Sequence, residues 1–216
     1  MALTRLGGAN AISGTIPQGN IANASLGAVT TLPAADGSSL TNLPLGLTLL
    51  STTTVSSGDS TVSLAVSDDT YDNFYVLATQ VEGTSSSNGR GRLRMKRASQ
   101  SSFDSGSSDY AAEGILIDTG TNVFNNNYNS NAIQIFPFDI ACNRPLSFSF
   151  YVIGARTTDF RTMIQSGFTQ EANGSYSSGT VFSGNRDSTD KVTNVQFDYT
   201  TGNLESGKFV VYGIKK

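Results

Sequence analysis

The sequence predicts an all-β fold, an antiparallel jelly-roll-like β-sandwich behind an extended N-terminal arm, and three observations predict it. Apolar residues from about position 47 onward recur with period two, clusters of Ser, Gly, Asn and Asp separate those runs, and helix-forming stretches are scarce in a chain with 22 glycines. The first seventy residues contain no aromatic residue, whereas every Phe and Tyr lies from Tyr71 onward. Two physically different parts therefore share one polypeptide, an arm over residues 1–45 and a sandwich over 46–216.

The arm carries only two charged side chains, Arg5 and Asp36. Its aliphatic residues, among them Leu3, Leu6, Ile12, Ile16, Ile21, Leu26, Val29 and Leu32, match neither helical periodicity nor strict alternation. So few scattered apolar side chains cannot build a core, yet so little charge is unlike a solvated tail. The segment is expected to find its order on another chain, as an oligomerisation or attachment element.

Strands are predicted in order over 47–55, 62–66, 73–82, 91–97, 114–118, 132–136, 146–152, 160–168, 179–183, 194–199 and 209–214. The clearest are Val62, Leu64 and Val66, then Leu146, Phe148, Phe150 and Val152 against Ser147, Ser149 and Tyr151, then Val195, Phe197 and Tyr199. The last strand, with Phe209 and Val211 opposed to Val210, Tyr212 and Ile214, is expected to be covered on both sides. Turn clusters fall at Ser56–Asp59, Ser85–Gly89, Ser105–Ser108, Asn125–Asn131 and Thr201–Asn203. Many short strands without helices exclude a parallel α/β sheet and favour two packed antiparallel sheets.

Composition removes several functional classes. No histidine is present, which excludes Ser-His-Asp and Cys-His nucleophile activation and most zinc sites. Phosphate-cradling Gly-rich loops followed by Lys and Ser/Thr are absent too, so no cofactor and no catalytic residue is expected. A net charge of −3 provides no electrostatic footprint for nucleic acid. No apolar run approaches the ~20 residues that span a bilayer, and no hydrophobic stretch follows Arg5, so membrane insertion is not expected and synthesis in a cytosol is. Cys142 reads as a small buried hydrophobe. Charged residues make up 14% of the chain, so either neighbours cover much of its surface or hydroxyl groups line it. The acceptor patterns at Asn23-Ala24-Ser25 and Asn173-Gly174-Ser175 lack an accompanying secretory signal.

Two charge features stand out. Asp68, Asp69 and Asp72, with Asp104, Asp109, Glu113 and Asp118 further on, are the only material for a carboxylate-pair glycosidase, while Asp68–Asn73 also reads as a turn leading into a strand. Calcium at that cluster would lack EF-hand spacing, and no metal site is expected. The stretch Arg90–Arg97 holds five of the 14 basic residues. In a strand, Arg90, Arg92, Arg94 and Lys96 project from one face and Leu93 and Met95 from the other. Two readings of this ridge stand open: capture of an anionic surface such as an acidic glycan, or pairing with Asp and Glu of neighbouring strands or subunits. With the side chains in solvent, reversing Arg92 and Arg94 to Glu is expected to leave the fold intact.

The opening Leu3-Thr4-Arg5-Leu6-Gly7-Gly8-Ala9-Asn10-Ala11-Ile12-Ser13-Gly14-Thr15-Ile16-Pro17, continued by Asn20–Leu26 and Leu32-Pro33-Ala34, resembles the N-terminal arm of structural proteins of tailed bacteriophages, particularly marine and cyanobacterial phages. The close, Phe197–Lys215, is similar to their terminal strand pair, and Tyr71–Leu77 to their first core strand. The resemblance covers both ends and the start of the sandwich, and the middle only in character. It implies a virion protein, commonly a trimer, whose partners are copies of itself, other tail or capsid proteins and a host surface glycan. A short tail fibre or receptor-binding protein is the leading expectation, capsid decoration or a head fibre the alternative, and a polysaccharide depolymerase the third.

Overall fold

The structure, a computed structural model, describes residues 46–86, 88–118, 121–135, 140–159, 161–166, 169–171 and 179–215. The arm residues and Asn173 lie outside them. Fifteen strands and no helix occur among the described residues. They are β1 (Leu47–Thr54), β2 (Val62–Ala65), β3 (Tyr71–Gly83), β4 (Asn88–Gly89), β5 (Gly91–Arg97), β6 (Tyr110–Asp118), β7 (Thr121–Ser130) and β8 (Ile133–Gln134). There follow β9 (Ile140–Ala141), β10 (Leu146–Ile153), β11 (Met163–Ser166), β12 (Thr169–Glu171), β13 (Gly179–Arg186), β14 (Val192–Tyr199) and β15 (Leu204–Lys215).

Every described pairing is antiparallel, and four of the pairings nest. The first strand β1 pairs the last, β15; β2 pairs β14; β3 pairs β10; and β5 pairs β8. A long hairpin folded over on itself in this way is a jelly roll. Its two halves are β1-β15-β3-β10 and β2-β14-β5-β8. The first half widens into a nine-stranded sheet through β11 and β12, which share one place, and then β13, β6 and β7. A short ribbon of β4 and β9 stands apart.

Alternation explains which face is buried. Phe74, Val76 and Ala78 of β3, Phe148, Phe150 and Val152 of β10, and Phe209 and Val211 of β15 are buried from the large sheet. Val62, Leu64, Leu93, Met95, Val195 and Phe197 are buried from the small one. Phe197 joins the layers, its ring centroid 5.4 Å from that of Phe148 and 5.5 Å from that of Phe209. Each fully buried large apolar side chain contributes roughly 1.5–3 kcal/mol. The outer-phase residues of β15, Val210, Tyr212 and Ile214, are half-buried, so that strand is covered fully on one side only.

The wing of β11, β13, β6 and β7 meets the small sheet through its edge strand β8 and through β5. Gly184 of β13 has no side chain, so Ile133 of β8 packs where a Cβ would stand 2.8 Å from its Cγ1. Tyr110 at the start of β6 reaches to β5: the Met95 N–H donates to its Oη at 2.7 Å, and the carbonyls of Met95 and Asp104 lie 3.4 and 3.3 Å from the same oxygen. Beside it Asp104 is held by Arg97 at 3.0 Å and by the buried Arg186 at 3.5 Å, while Arg186 also donates to the Asp190 carbonyl.

Several elements depart from expectation. Asn125–Asn131 was a turn by composition, yet β7 runs through it as far as Ser130, since pairing along β6 from Asp118↔Thr121 to Tyr110↔Ser130 uses main-chain groups that every residue there carries whatever its side chain. It forms a sheet edge, where polar residues are the usual occupants. The Ser85–Gly89 cluster contains β4, and β9 and β12 were not foreseen. Within the strands expected over 132–136 and 160–168 the structure has β8 and β11, while residues 136, 160, 167 and 168 lie outside the described ones. Thr201–Asn203 is a turn as expected, with Gly202 at φ 78° and a Cβ there 2.6 Å from that of Ser85.

Replacing Phe197 by Ala is expected to cost about 3–5 kcal/mol in chemical denaturation, since it empties the contact between the sheets. Tyr110 tests the wing. Burial pushes its phenol well above the ordinary tyrosine value, so its contribution to stability is complete below pH ~10 and is lost as pH rises through the raised value. In an alkaline titration one of the eight tyrosines should form phenolate only as the protein unfolds; all eight ionising together in the folded state would contradict this.

Candidate functional site

The basic strand comes first, because its sequence is the most distinctive. In β5, Leu93 and Met95 are buried and Arg92, Arg94 and Lys96 lie on the opposite face, half-buried. The reason is Asp198 of β14, directly opposite Arg92 in the ladder. Arg92 grips it with a two-pronged fork, Nε to Oδ1 at 2.9 Å and Nη2 to Oδ2 at 2.8 Å, and Arg94 Nη1 adds a third bond to Oδ2 at 3.0 Å. Asp198 is thereby left with only 8% of its side chain exposed, and the two arginines with 20% and 16%. Arg94 Nε also donates to the Asn131 carbonyl, and Arg90 Nη1 to Gln134 Oε1 at 2.8 Å. The expectation of arginines standing in solvent is corrected here. A carboxylate one strand away draws them onto the sheet, because bidentate charge-assisted bonds outweigh the loss of free hydration. Asp198 sat in an alternating run as an unremarked polar partner, so the signal was present but had no pairing register to give it meaning.

The acidic cluster is also accounted for locally. Thr70 N–H donates to Asp68 Oδ1 at 2.8 Å, the side-chain turn expected just before β3. Asp69 accepts from Arg156 Nη2 at 2.7 Å and Nε at 3.0 Å. The Thr70 bond holds the Asp68 carboxyl below the ordinary carboxylate value, and the Arg156 fork does the same for Asp69. A glycosidase general acid needs the opposite shift. Among the described residues no group of three or more Cys, Asp or Glu side chains is arranged to hold a metal.

The outer face of the large sheet differs from both. Antiparallel sheets with one solvated face normally place polar residues there. Here the ladder aligns Leu49 of β1 with Tyr212 of β15, Tyr212 with Tyr75 of β3, and Tyr75 with Tyr151 of β10. The three rings form a continuous band, with centroids 6.1 Å apart for Tyr75–Tyr212 and 5.0 Å for Tyr75–Tyr151. Leu49 is 60% exposed and Tyr151 41%. The same row then continues in polar residues: Tyr151 is opposite Gln165 of β11, Gln165 opposite Ser183 of β13, and Ser183 opposite Glu113 of β6. Two adjoining hollows of about 310 and 250 Å³ lie along that polar half and share Glu113 and Ser183.

One row thus crosses seven strands, aromatic on one side and hydrogen-bonding on the other. Sequence reading did not find it. The available signal was tyrosine in the solvent phase at Tyr75, Tyr151 and Tyr212, the second of these in the phase that Ser147 and Ser149 hold on the same strand.

No family model matches the chain, and no curated protein matches it. Among solved structures it is similar to the CBM2 module of the evolved Dit of Lactobacillus casei BL23 phage J-1, at 11% identity and a TM-score of 0.27, with 76% of each chain covered. A likeness this slight bears on neither fold nor function.

The clasp on Asp198 makes a graded prediction. Asp198→Ala should cost about 2 kcal/mol in denaturation, the scale of lost bonds between charged partners. Arg92→Ala should cost more than Arg94→Ala, because it removes two bonds to Asp198 rather than one. Reversing Arg92 and Arg94 to Glu together should destabilise strongly by facing two acids with a third. Unchanged stability in all four variants would return the strand to the solvent-exposed ridge of the sequence reading.

Proposed function

We propose that this chain is a non-enzymatic structural protein of a bacteriophage particle, a short tail fibre or fibre-like receptor-binding protein. In this reading residues 1–45 attach the chain to the particle and join it to its own copies as a trimer, and the jelly roll meets the host. One observation carries the proposal: the tyrosine band left open across the outer face of the large sheet. An exposed aromatic and apolar face marks a surface that meets a partner. The resemblance of both chain ends to phage arm and terminal-strand sequences supports the particle, and repeated copies on one particle raise avidity when each site is weak.

The basic strand has a structural role in this reading, since its two central arginines are committed to Asp198. The carboxylates nearest to a depolymerase pair, Asp68 and Asp69, are held in the ionised form by turn and ion-pair contacts.

Adsorption tests the proposal directly. The purified chain, added to a bacterium before the phage that encodes it, should reduce adsorption in a dose-dependent way and release no new reducing ends from envelope polysaccharide. Full adsorption at saturating protein would overturn it. Copy number in purified particles then fixes the location: a few trimers indicate a tail appendage, tens to hundreds a shell decoration.

A further inference from the structure

The large apolar side chains left exposed among the described residues are Leu47, Leu49, Ile115, Tyr151, Met163 and Val181. All six project from the outer face of the large sheet. Leu49 and Tyr151 stand in the Leu49–Glu113 row, and each of the other four lies two residues along a strand from a member of that row, hence on the same side. A solvated sheet face carries polar residues in these places.

The two ends of the face are unlike. At the β1 edge Leu47 and Leu49 stand out as knobs. Toward the other edge Ile115 and Val181 are opposite one another in the β6–β13 ladder and line the larger hollow, of about 310 Å³, while Met163 lines the smaller one beside it. Aliphatic walls in a hollow of that size suit a leucine side chain, and the chain itself supplies exposed leucines at its opposite end. A glycan suits these hollows less well, because Ile115, Val181 and Met163 offer no hydrogen bond to a sugar hydroxyl.

Size and charge agree with a second copy. Seven strands ~4.8 Å apart and three rows ~7 Å apart make a footprint of about 700 Å², close to the share of about 800 Å² that each partner buries in a stable protein contact. Tyrosine and methionine are enriched in such contacts and charge is depleted. Glu113, the one ionic side chain in the Leu49–Glu113 row, already has a partner, so covering it buries no bare carboxylate. In the reading above residues 1–45 join the copies, and β1 begins at Leu47, so the joined chains present their β1 edges to one another at high effective concentration.

Resting on the trimer of that reading, we propose that the outer face of the large sheet is its subunit contact. Leu47 and Leu49 of one copy enter the hollow lined by Ile115 and Val181 of the next, and Tyr75, Tyr151 and Tyr212 turn toward the shared axis. Contact between unlike ends is heterologous, and it closes into a ring.

Cysteine pairing in the full-length chain tests this. Leu49→Cys and Val181→Cys together, both at exposed positions, should form a disulfide between copies on mild oxidation, since such a bond requires Cα atoms within about 7 Å. Most of the protein should then run as a covalent trimer on a non-reducing gel, and neither single variant should do so; the native Cys142 is buried. In the unsubstituted protein Met163, 41% exposed in the single chain, should be oxidised by peroxide at least about tenfold more slowly than methionine in a short peptide. A ladder that stops at the dimer, or oxidation of Met163 at the peptide rate, would overturn the proposal.

Sedimentation separates the two levels. If the unsubstituted chain is a trimer but the cysteine pair does not link, this contact is rejected and the trimer of the reading stands. If the chain sediments singly at micromolar concentration, contact and trimer fail together, and the adsorption assay alone then decides whether the chain meets the host.

Discussion

The contact of Phe197 with Phe148 and Phe209 is the constraint from which the rest of the molecule follows. It binds a four-stranded sheet to the middle of a nine-stranded one, and the nested pairing of first strand with last brings those three rings together although Phe148 and Phe209 are far apart in sequence. The wing of the large sheet is tied to the edge of the small one, by Ile133 of β8 against Gly184 and by Tyr110 reaching back to β5. With both undersides closed, the outer face of the large sheet is left to carry side chains for purposes other than the core.

The same electrostatic device secures the domain twice. Asp198 is clasped by Arg92 and Arg94, and Asp104 by Arg97 and Arg186, each acid nearly withdrawn from water between two guanidinium groups. An acid so withdrawn is costly unless paired and hydrogen-bonded, and the arginine fork meets both demands. These arrangements commit much of the positive charge of β5 to the fold, which is why the most conspicuous motif of the sequence is not the most plausible place for a ligand. The tyrosine-to-glutamate row on the other sheet has the opposite character, with modest charge, exposed rings and groups that can give or take hydrogen bonds.

Much of the architecture was legible beforehand. Val62, Leu64 and Val66, the Leu146–Val152 run and the Val195–Tyr199 run alternate so regularly that their buried faces could be assigned residue by residue, and two packed antiparallel sheets followed. What failed did so for identifiable reasons. The asparagine-rich β7 has no alternation to read, and its strand exists because β6 offers a backbone ladder. Asp198 was visible only as a polar residue in a run, and Tyr75, Tyr151 and Tyr212 as isolated members of three runs.

By itself, then, the sequence determined the strand class, the identity of the core faces and the composition break near residue 45, because period two and side-chain polarity are local properties of the chain. Only the tertiary structure decided that Arg92 and Arg94 meet Asp198, that the solvent-phase tyrosines of three distant strands form one band, and that the band runs into Gln165, Ser183 and Glu113. Those facts depend on strand order and register, which are set by how the two sheets close over Phe197 and which no single segment encodes.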